Sequence, residues 1–288
     1  MNPVVVTFLG SRGPYPGSDD MPSVLVSYGG KNLLLDVSEG TQHRLLEIGK
    51  SVASVNPILI THMHGDHVLG LIPLLQSRSL AGITTPILVV GPAGLGTYLL
   101  KSFEYLYFYP EYQLVINEIS EGETCEGFEG LVEPLRELTR DSGSTVSIVR
   151  TDCCKNIIEG PFKIKAFWVK HSIPTLAYRL DISEAVSICY VSDTMASENV
   201  IRMCSKVKVL IHDSTFSSDM SDKAREYTHS TATQASETAL KCGAEMLILY
   251  HVSPRYKNTE VLLSEARKIF RNTYVAEKYM KLYLIPNK

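Results

Sequence analysis

The chain has 288 residues, 44% hydrophobic and 20% charged, with 19 glycines and 14 prolines; this excludes disordered, collagenous and low-complexity classes and suffices to bury a large core. Its longest apolar runs, such as 57–60 and 246–250, fall far short of the roughly 18 residues of a membrane span, and the start lacks the basic flank and apolar stretch of a secretory signal, so a cytoplasmic protein with no membrane partner is expected. A formal net charge of −3 excludes attachment to nucleic acid through bulk positive charge, while leaving a local basic face open.

The pattern opens with β-type segments at 4–9, 23–28 and 32–36, the last two joined by Gly29-Gly30 as a hairpin turn. A short helix at 40–48, a buried strand at 57–60 and a helix at 68–80 follow, the latter with Leu69, Ile72 and Leu75 on one face. A strand at 86–90, a helix at 93–107 and a strand at 112–119 lead into the least regular stretch, 118–160. It carries ten acidic and four basic residues and reads as an acidic insertion packed on the main fold. Leu131, Leu135 and Leu138 give it a helical apolar stripe suited to covering a fold edge or meeting a partner subunit.

The second half resumes with strands at 162–169, 175–181, 186–191, 207–211 and 246–250, and helices at 197–204, 232–242 and 259–270. Both halves thus combine a β-meander with helices, which predicts one α/β domain over 1–288, two sheets face to face with helices outside. The six cysteines form no C-x-x-C pair and read as free, mostly buried thiols, with Cys153-Cys154 the pair most open to a redox role.

The strongest chemical signal is Thr61-His62-Met63-His64-Gly65-Asp66-His67, between a buried strand and a helix. Side chains alternate along an extended segment, so His62, His64 and Asp66 can share one side, and His67 joins them as the chain turns into the helix. Imidazole nitrogen with carboxylate oxygen suits zinc and similar divalent metals. The chain has eight histidines, and His171 and His251 each follow a predicted strand, as does Asp193. Strand ends are where loops present functional groups.

Together these residues resemble the metallo-β-lactamase superfamily and, within it, the ribonuclease Z family of tRNA 3′-end endonucleases. The likeness runs in order through Phe8-Leu9-Gly10-Ser11, Leu34 to Gln42, the histidine motif, His171, Ser192-Asp193-Thr194, His212 to Phe216, His229-Ser230-Thr231-Ala232 and His251 to Tyr256. It implies a four-layer αββα sandwich and a dinuclear metal-dependent phosphodiesterase that processes tRNA 3′ ends by metal-bound hydroxide attack. By the same resemblance His62, His64 and His171 bind one metal, Asp66, His67 and His251 the second, and Asp193 bridges them, Asp66 also counting as catalytic. His229, oriented by Asp213, is the expected acid for the leaving group, and Ser230, Thr231 and Arg255 are the expected substrate contacts. The metals would be two zinc ions, with manganese or iron as alternatives; a homodimer is the family's usual state. His43 and His212 match no ligand position.

Two departures stand out. The long arm that grips tRNA in most of the family lies between the equivalents of His171 and Asp193, which here have only 21 residues between them, room for two strands and a turn. Ser38 stands where the family usually has glycine. A second expectation is therefore an arm-less hydrolase of the same fold acting on a small phosphodiester or sulfate ester; a non-catalytic interaction protein is disfavoured by the intact ligand set. For RNA, the stretch from Arg255 onward offers eight basic against three acidic residues, with Arg267, Lys268 and Arg271 near the end of one helix.

Overall fold

The structure, a computed structural model, describes residues 2–120, 145–182 and 186–285. In chain order its strands are β1 (Val4–Gly10), β2 (Ser23–Tyr28), β3 (Lys31–Leu35), β4 (Val55–Leu59), β5 (Ile87–Pro92), β6 (Leu114–Ser120), β7 (Val146–Asp152), β8 (Asn156–Glu159), β9 (Phe162–Val169), β10 (Thr175–Ile182), β11 (Val186–Val191), β12 (Val209–Asp213), β13 (Met246–Tyr250), β14 (Thr273–Val275) and β15 (Lys281–Leu284). The helices are α1 (Thr41–Glu47), α2 (Gly65–Val68), α3 (Leu71–Leu80), α4 (Leu95–Tyr105), α5 (Glu198–Met203), α6 (Ser221–Glu226), α7 (Ala232–Cys242) and α8 (Glu260–Arg267).

One sheet runs β15-β1-β2-β3-β4-β5-β6-β7 and the other β14-β13-β12-β11-β10-β9-β8. Val6, Phe8, Leu33 and Leu35 of the first meet Ile164, Leu176, Tyr178 and Ile188 of the second in the core between them. A second apolar layer, with Leu45, Leu71, Leu75, Leu99 and Phe103, seats α1, α3 and α4 on the first sheet. A third, with Val200, Ala235, Ala239, Leu262 and Ala266, seats α5, α7 and α8 on the other. The result is the four-layer αββα sandwich expected from the sequence. Strands β3 to β7 pair in parallel and are covered on both faces at β3 and β4, which is why Leu33-Leu34-Leu35 and Ile58-Leu59 are continuous apolar runs without alternation.

Glycines act where the backbone demands them. Gly29 and Gly30, at φ +57° and +79°, make the β2–β3 turn with the two positive φ angles that a tight two-residue hairpin requires. Gly70 breaks the single helix expected over 68–80 into α2 and α3. Its N–H donates to Val37 O at 2.9 Å, and a Cβ there would lie 2.0 Å from Ser38 O. The same contact gives Ser38 its setting: its hydroxyl donates to Met21 O and accepts from Arg44 Nη2, at 2.9 and 2.7 Å.

The stretch read as irregular supplies, in its described parts, β7 and β8, the outer strands of both sheets. The helical stripe at Leu131, Leu135 and Leu138 lies outside the described residues. The short strands β14 and β15 were not expected; β15 pairs with β1 and covers its edge. Cys153 is disulfide-bonded, whereas Cys154, Cys189, Cys204 and Cys242 are free, so the adjacent pair is not two thiols. Three buried tyrosines tie the sheets together at the end where β3 and β4 finish: Tyr178 donates to Ile60 O, Tyr250 to Gly10 O and Tyr190 to Asp36, at 2.6, 2.8 and 2.9 Å. Each buries a large ring while giving its hydroxyl a partner.

Candidate metal centre

The strand ends converge. Asp36 follows β3, His62 to His67 run from the loop after β4 into α2, His171 follows β9, Asp193 follows β11, Asp213 closes β12 and His251 follows β13. Loops at the carboxyl ends of parallel strands are open to carry function because their backbone is released from the ladder.

Among the described residues, three overlapping groups of possible ligand atoms form there; two hold the expected ligands, and the third joins Asp193 and His251 to His229. In the first, His64 Nδ1 lies 3.0 Å from His62 Nε2 and 3.3 Å from His171 Nε2, and Asp193 Oδ2 lies 3.7 and 3.6 Å from those Nε2 atoms. In the second, Asp66 Oδ2 stands 3.3 Å from both His67 Nε2 and His251 Nε2. Asp193 Oδ1 stands 3.3 and 3.4 Å from the same two nitrogens. One carboxylate therefore turns one oxygen to each group. Ligands about 2.0–2.1 Å from a tetrahedral zinc are about 3.3–3.4 Å apart, so both groups have the spacing that a small divalent cation needs. His67 Nε2 is buried and makes no hydrogen bond, as a ligand atom held ready for a cation would be.

The other ring nitrogens are engaged from behind. His62 Nδ1 meets Thr61 Oγ1 at 2.9 Å, His67 Nδ1 meets Asp36 Oδ2 at 2.8 Å, His171 Nδ1 meets Thr228 O at 3.0 Å and His251 Nδ1 meets Thr215 Oγ1 at 3.1 Å. Such partners fix ring orientation and leave Nε2 free to bind. Asp36 is the hub: it is fully buried and also accepts from Thr61 N, Thr61 Oγ1 and Tyr190 OH. It lies within the family-like stretch Leu34 to Gln42, where the sequence alone assigns it no role. Asp36→Asn is expected to lower metal affinity by about 10–100-fold with the fold retained; chelator competition that finds unchanged affinity would remove Asp36 from this role.

Electrostatics agree. Burial holds His62, His64 and His171 below the usual imidazole range, keeping them neutral and able to ligate. Burial also opposes charge on His67, but Asp66, Asp193 and Asp36 outweigh it and raise His67 well above that range. Burial likewise opposes ionisation of Asp66 and Asp193, yet the surrounding histidines keep both below the usual carboxylate range. A pocket of buried carboxylates that draws a proton onto an imidazole is one that a cation would neutralise.

His229 sits beside this centre, its ring stacked on His251 at 5.2 Å and 5.0 Å from His171. Its Nδ1 is 2.7 Å from Asp213 Oδ2. Asp213 is itself fixed by Thr194 N, Thr215 N and Thr215 Oγ1 at 3.0, 2.9 and 2.7 Å. Burial works against a charged His229, but Asp213 prevails and pushes its pKa up to about 9. With Nδ1 engaged by the carboxylate, Nε2 carries the transferable proton.

The expected substrate contacts divide. Ser230 and Thr231 are buried, and their hydroxyls are taken: Ser230 donates to Thr194 O at 2.6 Å, and Thr231 caps α7 in a capping box with Gln234. They shape the His229 loop. Arg255 is exposed, with its guanidinium 5.0 Å over Phe216, whose ring is 6.2 Å from His229. Of the basic residues farther on, Arg267 is committed to the fold: it donates to Thr273 O at 3.0 Å and lies over Tyr274. Lys268 and Arg271 are exposed. His43 is exposed on α1, and His212 is buried with Nδ1 on Asp213 O; neither joins the ligand groups.

Comparison with known proteins fits this geometry. The beta-lactamase superfamily domain matches residues 31–252. Ribonuclease Z of Sulfurisphaera tokodaii is 33% identical over 298 residues, covering 99% of each chain. Ribonuclease Z of Sulfolobus acidocaldarius is 32% identical, covering 94% of this chain and 96% of its own. Among solved structures, the short form of human tRNase Z superposes with a TM-score of 0.76 at 26% identity, over 96% of this chain and 98% of that one.

Proposed function

The chain belongs to the beta-lactamase superfamily and, within it, to the ribonuclease Z family, and on that premise we propose that its centre cleaves precursor tRNA at the 3′ end, leaving a 3′-hydroxyl on the tRNA body. It is a metal-dependent hydrolase. The observation that carries the proposal is the pair of ligand groups sharing Asp193, whose two oxygens face one group each.

In this reading His62, His64 and His171 hold one divalent cation, Asp66, His67 and His251 hold another, and Asp193 belongs to both, with zinc the ion that best suits the donor set and spacing. Such cations, when bound, supply Lewis acidity and bring the pKa of water down to about 7. His229 then delivers the proton from Nε2 to the departing ribose oxygen, and Asp213 keeps that imidazole charged and aimed. Arg255, held by Ser253 Oγ at 3.0 Å and by Phe216, offers a cation beside His229 for an adjoining phosphate.

A second reading keeps the centre and exchanges the substrate for a small phosphodiester. Only 21 residues join His171 to Asp193, and β10 and β11 occupy them, so no arm extends from that position. Turnover of a precursor tRNA against bis-p-nitrophenyl phosphate separates the two. The leading reading predicts a higher kcat/KM on RNA and binding that weakens steeply with salt, log K falling by about 0.7–0.9 per phosphate contact against log salt. No detectable RNA binding at low salt, with good turnover of the small ester, would replace it with the second. A cytoplasmic location and a homodimer are part of the proposal; among the described residues no helix is long and apolar enough to cross a membrane.

A further inference from the structure

We propose that Gly13 is a positioning residue for the second metal position, its bare Cα occupying the space against the His251 ring and so fixing where Nε2 stands. The inference rests on the reading of Asp66, His67 and His251 as ligands. A Cβ on Gly13 would lie 1.8 Å from His251 Nε2 and 2.3 and 2.4 Å from Cε1 and Cδ2, distances that no pair of non-bonded atoms can hold. With Nε2 at 1.8 Å and both flanking carbons only 2.3–2.4 Å away, that point stands above the ring plane at Nε2, off the in-plane lone pair. The overlap is therefore with the ligand itself. Gly13 is not among the glycines with positive φ, so its backbone tolerates alanine, and only the close approach demands glycine.

Both partners in this contact are held. The residue before Gly13 is anchored: Arg12 N donates to Asp20 O at 2.8 Å, its guanidinium pairs with Asp19 at 2.9 Å, and its Nη1 donates to Tyr256 O at 3.4 Å. Arg12 also bridges Val252, the residue after His251. On the other side His251 has a left-handed backbone at φ +56°, unusual for a residue with a Cβ, and its Nδ1 is tied to Thr215. A methyl at position 13 must therefore displace the imidazole, which moves Nε2 away from Asp66 Oδ2 and Asp193 Oδ1 while leaving His62, His64 and His171 where they are.

The test is cobalt(II) titration of the metal-free protein, followed by visible absorption, with zinc equilibrium dialysis beside it. Wild type should take up two ions per chain. Gly13→Ala, with native circular dichroism, should keep one and lose affinity for the other by about 10–100-fold or more, the range seen when ligand orientation is disturbed. Gly17→Ala is the control in the same loop: its Cβ would approach Pro254 Cβ only to 3.3 Å, and both ions should remain. Two ions of unchanged affinity in folded Gly13→Ala would overturn the proposal. If that variant does not fold, wild-type NMR decides: a cross-peak between Gly13 Hα and the His251 ring, with the Hα shifted upfield by the ring current, supports the contact, and absence of both overturns it. Fewer than two ions in the wild type would overturn the ligand assignment itself.

Discussion

Asp193→Ala should abolish hydrolysis, with kcat/KM on any phosphodiester falling by about a thousandfold or more, equivalent to ~4 kcal/mol of transition-state stabilisation, and should cost the protein at least one bound metal. The reason is geometric: Asp193 gives one oxygen to each ligand group, so its loss opens both, whereas loss of any histidine opens one. The fold should survive. Asp193 follows β11, whose Ile188 and Tyr190 lie in the core between the sheets, and the β11–β12 ladder runs from Ile188 to Val191 without it. Retention of two metals and full activity in that variant would refute the bridging assignment.

His229→Ala is the second large effect and should be selective. General acid catalysis contributes about 10²–10⁴-fold where the leaving group needs a proton, so cleavage of RNA, which expels an alkoxide, should fall by that factor. Turnover of bis-p-nitrophenyl phosphate, whose leaving group departs unprotonated, should fall less than about tenfold, and both metals should stay bound. The pH dependence has a defined sign. The acid form of His229 is the active one, and its folded pKa is raised to about 9 by Asp213, so the rate on RNA is present below that pKa and lost as pH rises through it. Cations bound nearby lower the midpoint without changing the sign. His229→Ala should erase that alkaline limb, whereas equal losses on both substrates would contradict the proton-donor role.

Much of this site could be read from the chain because its donors are local or sit at recognisable boundaries. His62, His64, Asp66 and His67 fall within six residues, and His171, Asp193 and His251 each follow a strand whose apolar pattern is plain. Asp36 was missed for the opposite reason. It lies within the family-like stretch Leu34 to Gln42, but the sequence gives it no role there, since its partners Thr61, His67 and Tyr190 are 25, 31 and 154 residues away. Gly13 faced the same barrier, its contact with His251 being visible only in three dimensions.

The same logic governs the fold. The strand Phe162–Val169 and the helix Ala232–Cys242 are legible to the residue because burial on a fixed face writes a period into the sequence, and Met246–Tyr250 because burial on both faces makes it an unbroken apolar run. The α2–α3 break is not, because the Gly70 N–H donates to the carbonyl of distant Val37. Strand β7 lies at a sheet edge, with several side chains exposed, so acidic neighbours and weak alternation concealed it. Strands β14 and β15, of three and four residues, are too short for a period to show.

The most direct test of a shared two-cation centre is to titrate metal-free protein with zinc and follow precursor tRNA cleavage against equivalents bound. The structure predicts little activity up to one equivalent and a steep rise to a plateau at two, reversed by chelation. Full activity at one equivalent, or cleavage indifferent to metal, would contradict it.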